Sequence, residues 1–600
     1  MKANSDKSKQ SNKATRRVLA GVLCGASVLS LVLSLVMPPI SQAIANDGQA
    51  GAAEKTVTAA DSSSESTDVD NTTNGDTENQ NSDEVEGGEP GDDATEADQL
   101  SDGAGADDAA QVSDDNASGE NAIAPVAGNE STYEISSGAE LSSRLSNESL
   151  RTNGAATFKL TADIDYNDEI RLEQSSDNRI NITLNLNGHK IKHDSTGTPL
   201  FDIAKGATLT VVDDVDSGNI QETVSVGEKL QDKGEHLTPG NYGKTAMMSY
   251  DDNGIPTNLT YYVTESTASG AGTTEKIDEH TATIQGAIVG VTKNSTMRLI
   301  NVYQQGTFNL VSGTITQKKD CNVGNLIYAE NGSTVNMSGG YVCGASGSGD
   351  GAGIMVSNEQ GGASTLKLTG GVIAGNSANS GGGVYARYSE VTITNGIISG
   401  KVTSGVISGN STFGAGLGGG IMAEGGIVTV SGGCITNNRM AKFCRNDGWG
   451  CHGGAGLAAN TGAHVTISGG QITGNYSEEA GGGVYVTNLK QQGKAWLNIT
   501  GGIIASNVSY RSEGAGIRVG QRVDAMINGP KDSNGTKKST VYITNNHCMS
   551  RFDWGGGGIF VQGDSQDATN AGRLFVYNSY ISSNTAGGYG GGVAVCPSGK

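Results

Sequence analysis

Residues 464–486 read HVTISGGQITGNYSEEAGGGVYV, and three short phrases inside that stretch decide how the chain folds. HVTISGG is a strand of period two that ends in two glycines. QITGN places an apolar residue three positions before an asparagine. GGGVYV is a glycine run followed by alternating apolar residues. All three recur in fixed order. The glycine run returns as GAGIMV from Gly351, GGGVYA from Gly381, GGGIMA from Gly418, GAGLAA from Gly454, GAGIRV from Gly514, GGGIFV from Gly556 and GGGVAV from Gly590. The period-two strand returns as STVNMSGG (333–340), STLKLTGG (364–371), IVTVSGG (427–433) and WLNITGG (496–502). The third phrase returns as Ile373/Asn376, Ile407/Asn410, Ile435/Asn438, Ile504/Asn507, Ile543/Asn546 and Ile581/Asn584.

Successive asparagines lie 34, 28, 37, 32, 39 and 38 residues apart, so each unit keeps its strands while its connections change length, as solenoid repeats do. An antiparallel sandwich does not need the same phrases in the same order seven times. Stacking each phrase on its copy in the next coil gives three parallel sheets, with Val and Ile inside and Ser, Thr and Lys outside. Glycine suits corners that need positive φ or close backbone approach, and asparagine tolerates the left-handed region. The asparagine column reads as an internal side-chain ladder at one corner.

This ordered set resembles the right-handed parallel β-helix of pectate-lyase-like and polymorphic-outer-membrane-protein-like surface proteins, including Gly-rich adhesin-like proteins of Gram-positive bacteria. The resemblance covers roughly residues 135–600 and implies an all-β, three-sheet solenoid with an N-terminal cap. ISSGAELSSRLSNESL (135–150), with Leu141, Leu145 and Leu150 on one face, reads as a short capping helix, and FKLTADI (158–164), ITLNLNGHKI (182–191) and ATLTVVD (207–213) as first coils. Residues 131–219 are thus cap and first coils, 220–281 a polar insertion with Tyr242, Tyr250, Tyr261 and Tyr262 expected on the outside, and 282–600 repeats expected to continue beyond the chain end.

Ahead of the repeats the chain changes character. Residues 1–45 carry six basic residues against Asp6, then an uncharged run from Val18 to Met37 and the small-residue pattern Ala43-Ile44-Ala45. That is a secretory signal peptide with cleavage near Ala45; an uncleaved anchor touching the membrane through residues 18–37 is the other reading. Residues 46–130 hold 23 acids against Lys55 and no aromatic residue, the composition of a disordered, solvated acidic linker. Most of the net charge of −23 therefore belongs to the linker. With no basic stripe to displace phosphate counterions, a nucleic-acid partner is excluded.

Connections between the asparagine phrase and the next glycine run stack at one edge. They include YSEEA (476–480), VSYRSE (508–513), HCMSRFDWG (547–555) and RMAKFCRNDGWGCH (439–452). Phe443, Arg445, Trp449, Tyr476, Tyr510, Arg511, Phe552 and Trp554 form a candidate binding stripe there, interleaved with Glu478, Glu479 and Glu513 and followed by Tyr589. Rigid aromatics beside polar groups suit sugar faces and hydroxyls or a protein partner. The expectation is an extracellular, secreted or cell-surface, adhesin-like protein that binds a glycan or a host-surface protein. A structural stalk is the alternative, and so is a polysaccharide lyase or glycoside hydrolase, for which paired carboxylates are needed but no spacing fixes them. Asp213, Asp214 and Asp216 read as a turn. Cys444 and Cys451 share one loop and are a candidate disulfide. With His452 they make only three zinc ligands, so neither a metal nor a cofactor is expected.

Overall fold

The computed structural model describes residues 131–597 except 148–154, 175–179, 216–219, 226–241, 270–271, 294–296, 348, 360, 395–405, 409, 413–415, 441–452, 489–492, 532–539 and 552–554. The expected signal and linker, and Leu150, lie outside the described residues. Those described form an all-β structure of stacked, nearly all-parallel sheets, compatible with a β-helix solenoid. The eight strands after the glycine runs join four earlier strands, Ile170–Glu173, Phe201–Ala204, Arg298–Val302 and Asn325–Ala329, in a first sheet of 12 strands. The second and third phrases were expected to form two separate sheets, and here the structure differs: they join in one second sheet of 21 strands. A short fourth sheet of seven two-residue strands follows the asparagines, from Ser377–Ala378 to Thr585–Ala586.

The union of the second and third phrases has its cause in the two glycines. Thr365–Ala374, His464–Thr473 and Ala495–Ala505 each run unbroken through the pair, and the ladder shifts register as the strand bends there instead of ending. A Cβ at Gly370 would stand 2.2 Å from the carbonyl oxygen of Ser338 one coil away. Gly371 holds φ at +81°, where an L-residue with a Cβ is strained. The first glycine thus lets neighbouring coils touch, and the second makes the bend.

Alternation sorts the side chains. Val335, Leu366, Val391, Val428, Val465 and Leu497 are in register on successive coils and fully buried. Ile288, Ile315, Val342, Ile373, Ile407, Ile435 and Ile472 make a second internal column. Branched aliphatic residues fill such a flat-walled interior without polar atoms to satisfy.

At the next corner each inner ladder asparagine, from Asn410 to Asn546, saturates its amide. Asn475 Nδ2 donates to Asn507 Oδ1 (2.9 Å) and to the carbonyl of Ile435 (2.9 Å), while its Oδ1 accepts from the backbone N–H and the Nδ2 of Asn438, both at 3.0 Å. The same pattern runs from Asn376 to Asn584. The last glycine of each run makes room for it: a Cβ at Gly483 would stand 2.9 Å from Asn507 Nδ2 and 2.6 Å from the carbonyl of Gly516.

At the N-terminal end, the helix Gly138–Leu145 buries Leu141 and Leu145 in the main core. Ser137 accepts from the N–H of Glu140, and the Glu140 carboxylate accepts from the N–H and hydroxyl of Ser136, which holds it below the usual carboxylate range. Asp213 is a turn anchor: its carboxylate accepts from the N–H groups of Gly188 (2.7 Å) and Gly286 (2.8 Å).

The insertion folds as the third sheet, antiparallel, of Ile220–Ser225, Met247–Tyr250, Pro256–Ser269 and Gly272–Thr283. Its long hairpin crosses the coils instead of following them. Leu259, Tyr261 and Val263 pack on Ala287, Val289, Cys343, Val372, Ala374 and Cys434. The N–H of Thr264 donates to Thr436 Oγ1 (3.0 Å), that of Ser266 to Gln471 Oε1 (2.8 Å), and Asn545 Nδ2 to Glu275 Oε2 (3.2 Å). Small outward residues such as Cys343 and Ala374 let the hairpin approach closely.

Candidate functional site

The fourth sheet carries the candidate edge. Arg439, Tyr476, Val508, His547 and Thr585 are in register on successive coils, because each follows its ladder asparagine directly. From the residue after each strand, Glu478 donates its N–H to the carbonyl of Met440, and Tyr510 does so to Ser477. Connections of unequal length are thereby brought into line at their roots.

Tyr476, Tyr510 and Arg511 do come together. The two tyrosine rings lie 6.3 Å apart, and the Arg511 guanidinium stands 5.5 Å from the Tyr510 ring. Glu478 joins them: Tyr476 donates its hydroxyl to Oε1 (3.2 Å), Arg511 Nε lies 3.5 Å from Oε2, and Arg439 Nη2 lies 3.8 Å from Oε1. Arg439 also sits over the Tyr476 ring at 4.8 Å, within cation–π range. Tyr510 is 36% exposed, and the Arg511 side chain 48%. Arg551 and Tyr589, on later connections, are exposed as well.

Three readings of the edge change. Tyr476, expected on the exposed stripe, is 3% exposed and packs with Tyr242, Val508 and Met549. The insertion covers it, and burial beside Glu478 pushes its hydroxyl pKa up. Glu479 is also buried. Glu513, expected at the surface, is buried in a pair with Arg518, whose Nε and Nη2 donate to its Oε1 at 3.0 and 2.9 Å. Arg518 further stacks on Tyr485 at 4.8 Å. Phe443, Arg445, Trp449, Phe552 and Trp554, together with Cys444 and Cys451, lie outside the described residues. Cys321, Cys343, Cys434, Cys548 and Cys596 are free thiols.

Arg439 and Tyr242 were missed from sequence. Arg439 had a readable signal, since it occupies the slot after a ladder asparagine that Tyr476 fills one coil on. Tyr242 had none, because its partner lies far along the chain.

Two other surfaces bear on function. On the outer face of the first sheet, Glu169 is hydrogen-bonded to Asp202, and burial and that neighbour raise the Glu169 pKa. Arg171 lies 3.9 Å from Asp202 and Asn301 Nδ2 donates to it at 2.7 Å. Carboxyls in direct contact are closer than the roughly 5–9.5 Å that two-carboxylate glycoside hydrolysis uses. On the outer face of the second sheet, Ile427 and Trp496, the latter 45% exposed, flank His464. Among the described residues no group of three or more His, Cys, Asp or Glu is placed to hold a metal ion, and no helix is long and apolar enough to cross a membrane. No family model, curated protein or solved structure matches this chain.

Proposed function

We propose that this chain is a secreted or cell-surface, right-handed parallel β-helix protein, closed at its N-terminal end by the helix Gly138–Leu145. Its role is adhesin-like: the stacked connections beside the fourth sheet bind a glycan or a protein on another cell. The signal-like residues 1–45 and the acidic segment 46–130 support export and display away from a surface. The helix supports the cap, because a first coil without cover leaves its apolar interior and strand edge open.

The observation that carries the binding role is the pairing of an exposed tyrosine with an exposed arginine, Tyr510 and Arg511, held by Glu478 from the neighbouring coil. A ring face, a guanidinium fork and a carboxylate within one coil spacing match the apolar faces and hydroxyls of a sugar, or an aromatic-rich protein contact. The test is binding of the full chain to a glycan array and to intact cells. The double variant Tyr510→Ala/Arg511→Ala is expected to lose tenfold or more in affinity, about 1.4 kcal/mol or above. Trp496→Ala, on a different face, is expected to change little. Unchanged binding by the double variant, or loss confined to Trp496→Ala, removes the assignment.

A further inference from the structure

The arm and hairpin of residues 242–269 and 272–283 reach the same edge. Gly243 donates its N–H to the carbonyl of Gly474 (2.9 Å), and a Cβ at Gly243 would stand 2.5 Å from the Cβ of Tyr476. Tyr242, itself buried, donates its hydroxyl to Glu275 Oε2 at 3.3 Å, and Asn545 Nδ2 donates to the same oxygen at 3.2 Å. Ser506 also hydrogen-bonds that carboxyl. Among the described residues, Glu275 Oε1 is buried with no hydrogen-bond partner. His547 lies on the coil beneath, its ring 6.4 Å from that of Tyr242, and Lys276 and Asp278 flank Glu275 on its own strand and pair with each other at 2.6 Å.

A carboxylate buried with one oxygen unsatisfied and, among the described residues, no cation against it is costly, and holding a proton relieves the cost. We propose that residues 242–269 and 272–283 form a cover over the tyrosine edge, latched by the neutral form of Glu275 and loosened when that carboxyl ionises. Opening uncovers Tyr476 beside Tyr510 and enlarges the aromatic surface. This inference rests on the binding reading for its purpose, but not for its test.

The direction follows from linkage. Burial pushes Glu275 up to about 7, from the ordinary 4.5 it has once the cover is open. The closed state therefore binds the proton more tightly. Closure is strongest below pH 4.5 and weakens as pH rises to about 7, by on the order of a hundredfold in the closing equilibrium.

Hydrogen exchange resolved to single amides on the full chain at pH 5, 6, 7 and 8, corrected for intrinsic exchange, tests this through the N–H groups of Gly243, Thr264 and Ser266, which donate from the cover to the coils. In the unaltered protein these amides are expected to open on the order of a hundredfold more at pH 8 than at pH 5. Glu275→Gln keeps the shape without the charge and is expected to stay closed throughout. Gly243→Ala forces a Cβ into Tyr476 and is expected to be open already at pH 5. A flat profile in the unaltered protein, a pH response that survives Glu275→Gln, or full protection of the Thr264 and Ser266 amides in Gly243→Ala each overturns the cover. If exchange behaves as expected while no glycan or cell binds at any pH, the cover stands and the binding role falls.

Discussion

Replacing Asn475 by alanine tests the interior of the structure at its most demanding point. The side chain is buried, and its amide makes four hydrogen bonds: two donated, to Ile435 and Asn507, and two accepted from Asn438. At about 1 kcal/mol net for each, their loss costs about 4 kcal/mol, before the penalty for leaving the Asn438 N–H and the Ile435 carbonyl unpaired. That corresponds to roughly a thousandfold increase in local opening. Repeat structures open coil by coil, so the assay is native-state hydrogen exchange at the amides of Asn438 and Asn507, with urea unfolding as a global check. Asn584→Ala is expected to cost less, since that amide makes three bonds and is only part-buried. Asn475→Asp is expected to be worse than alanine at neutral pH, because an oxygen replaces the donor that faces Ile435 and Asn507. Acidification should recover part of that loss, since a protonated carboxyl regains one donor. As a baseline, Thr466→Ala removes an outward side chain of the second sheet and should stay within about 0.5 kcal/mol. If Asn475→Ala opens its coil no more than Thr466→Ala does, the ladder is ornament and the reasoning fails.

Other substitutions probe neighbouring elements. Gly483→Ala puts a Cβ 2.6 Å from the Gly516 carbonyl and 2.9 Å from Asn507 Nδ2; exchange at the Asn507 amide should rise as it does in Asn475→Ala, by about 3 kcal/mol or more in free energy. Ser583 holds φ at +53° in an exposed corner; Ser583→Gly should raise local stability by about 1 kcal/mol in urea unfolding, and a loss would contradict the strain argument. Arg518→Ala strands the buried Glu513 carboxylate and should cost about 3–5 kcal/mol, whereas Arg518→Met with Glu513→Gln should cost far less, a comparison that thermal unfolding monitored by circular dichroism decides.

What was legible in the sequence divides along a physical line. Features enforced at every coil were readable, because repetition writes the same local requirement many times. A glycine is needed wherever a carbonyl of the next coil passes within 2–3 Å of its Cβ position, so the Gly pairs and runs mark bends and contacts one by one. The asparagine column was readable for the same reason. The separation of the second and third phrases was misjudged: two adjacent glycines can bulge a strand as well as end it, and only the pairing partner decides which. At the edge, the clustering of Tyr476, Tyr510 and Arg511 followed from register and was found. The burial of Tyr476 did not follow, since it depends on Tyr242 and Gly243, which belong to no repeat.

That division also explains how one fold can hold its shape while its surface varies. Asparagine intervals of 28 to 39 residues are tolerated because each coil is fixed at the ladder by its neighbours above and below, whatever lies between. A connection can lengthen or change its charges at little cost, provided its first residues keep the fourth-sheet register, and lengthening a flexible loop adds only a slowly growing entropy cost. The hairpin cannot vary so freely. Its Thr264, Ser266 and Glu275 meet Thr436, Gln471 and Asn545 on three different coils, so changing the length of the coil stack between them would break at least one contact. Variable connections suit recognition, and an element whose length is tied to the number of coils beneath it suits control of access to them.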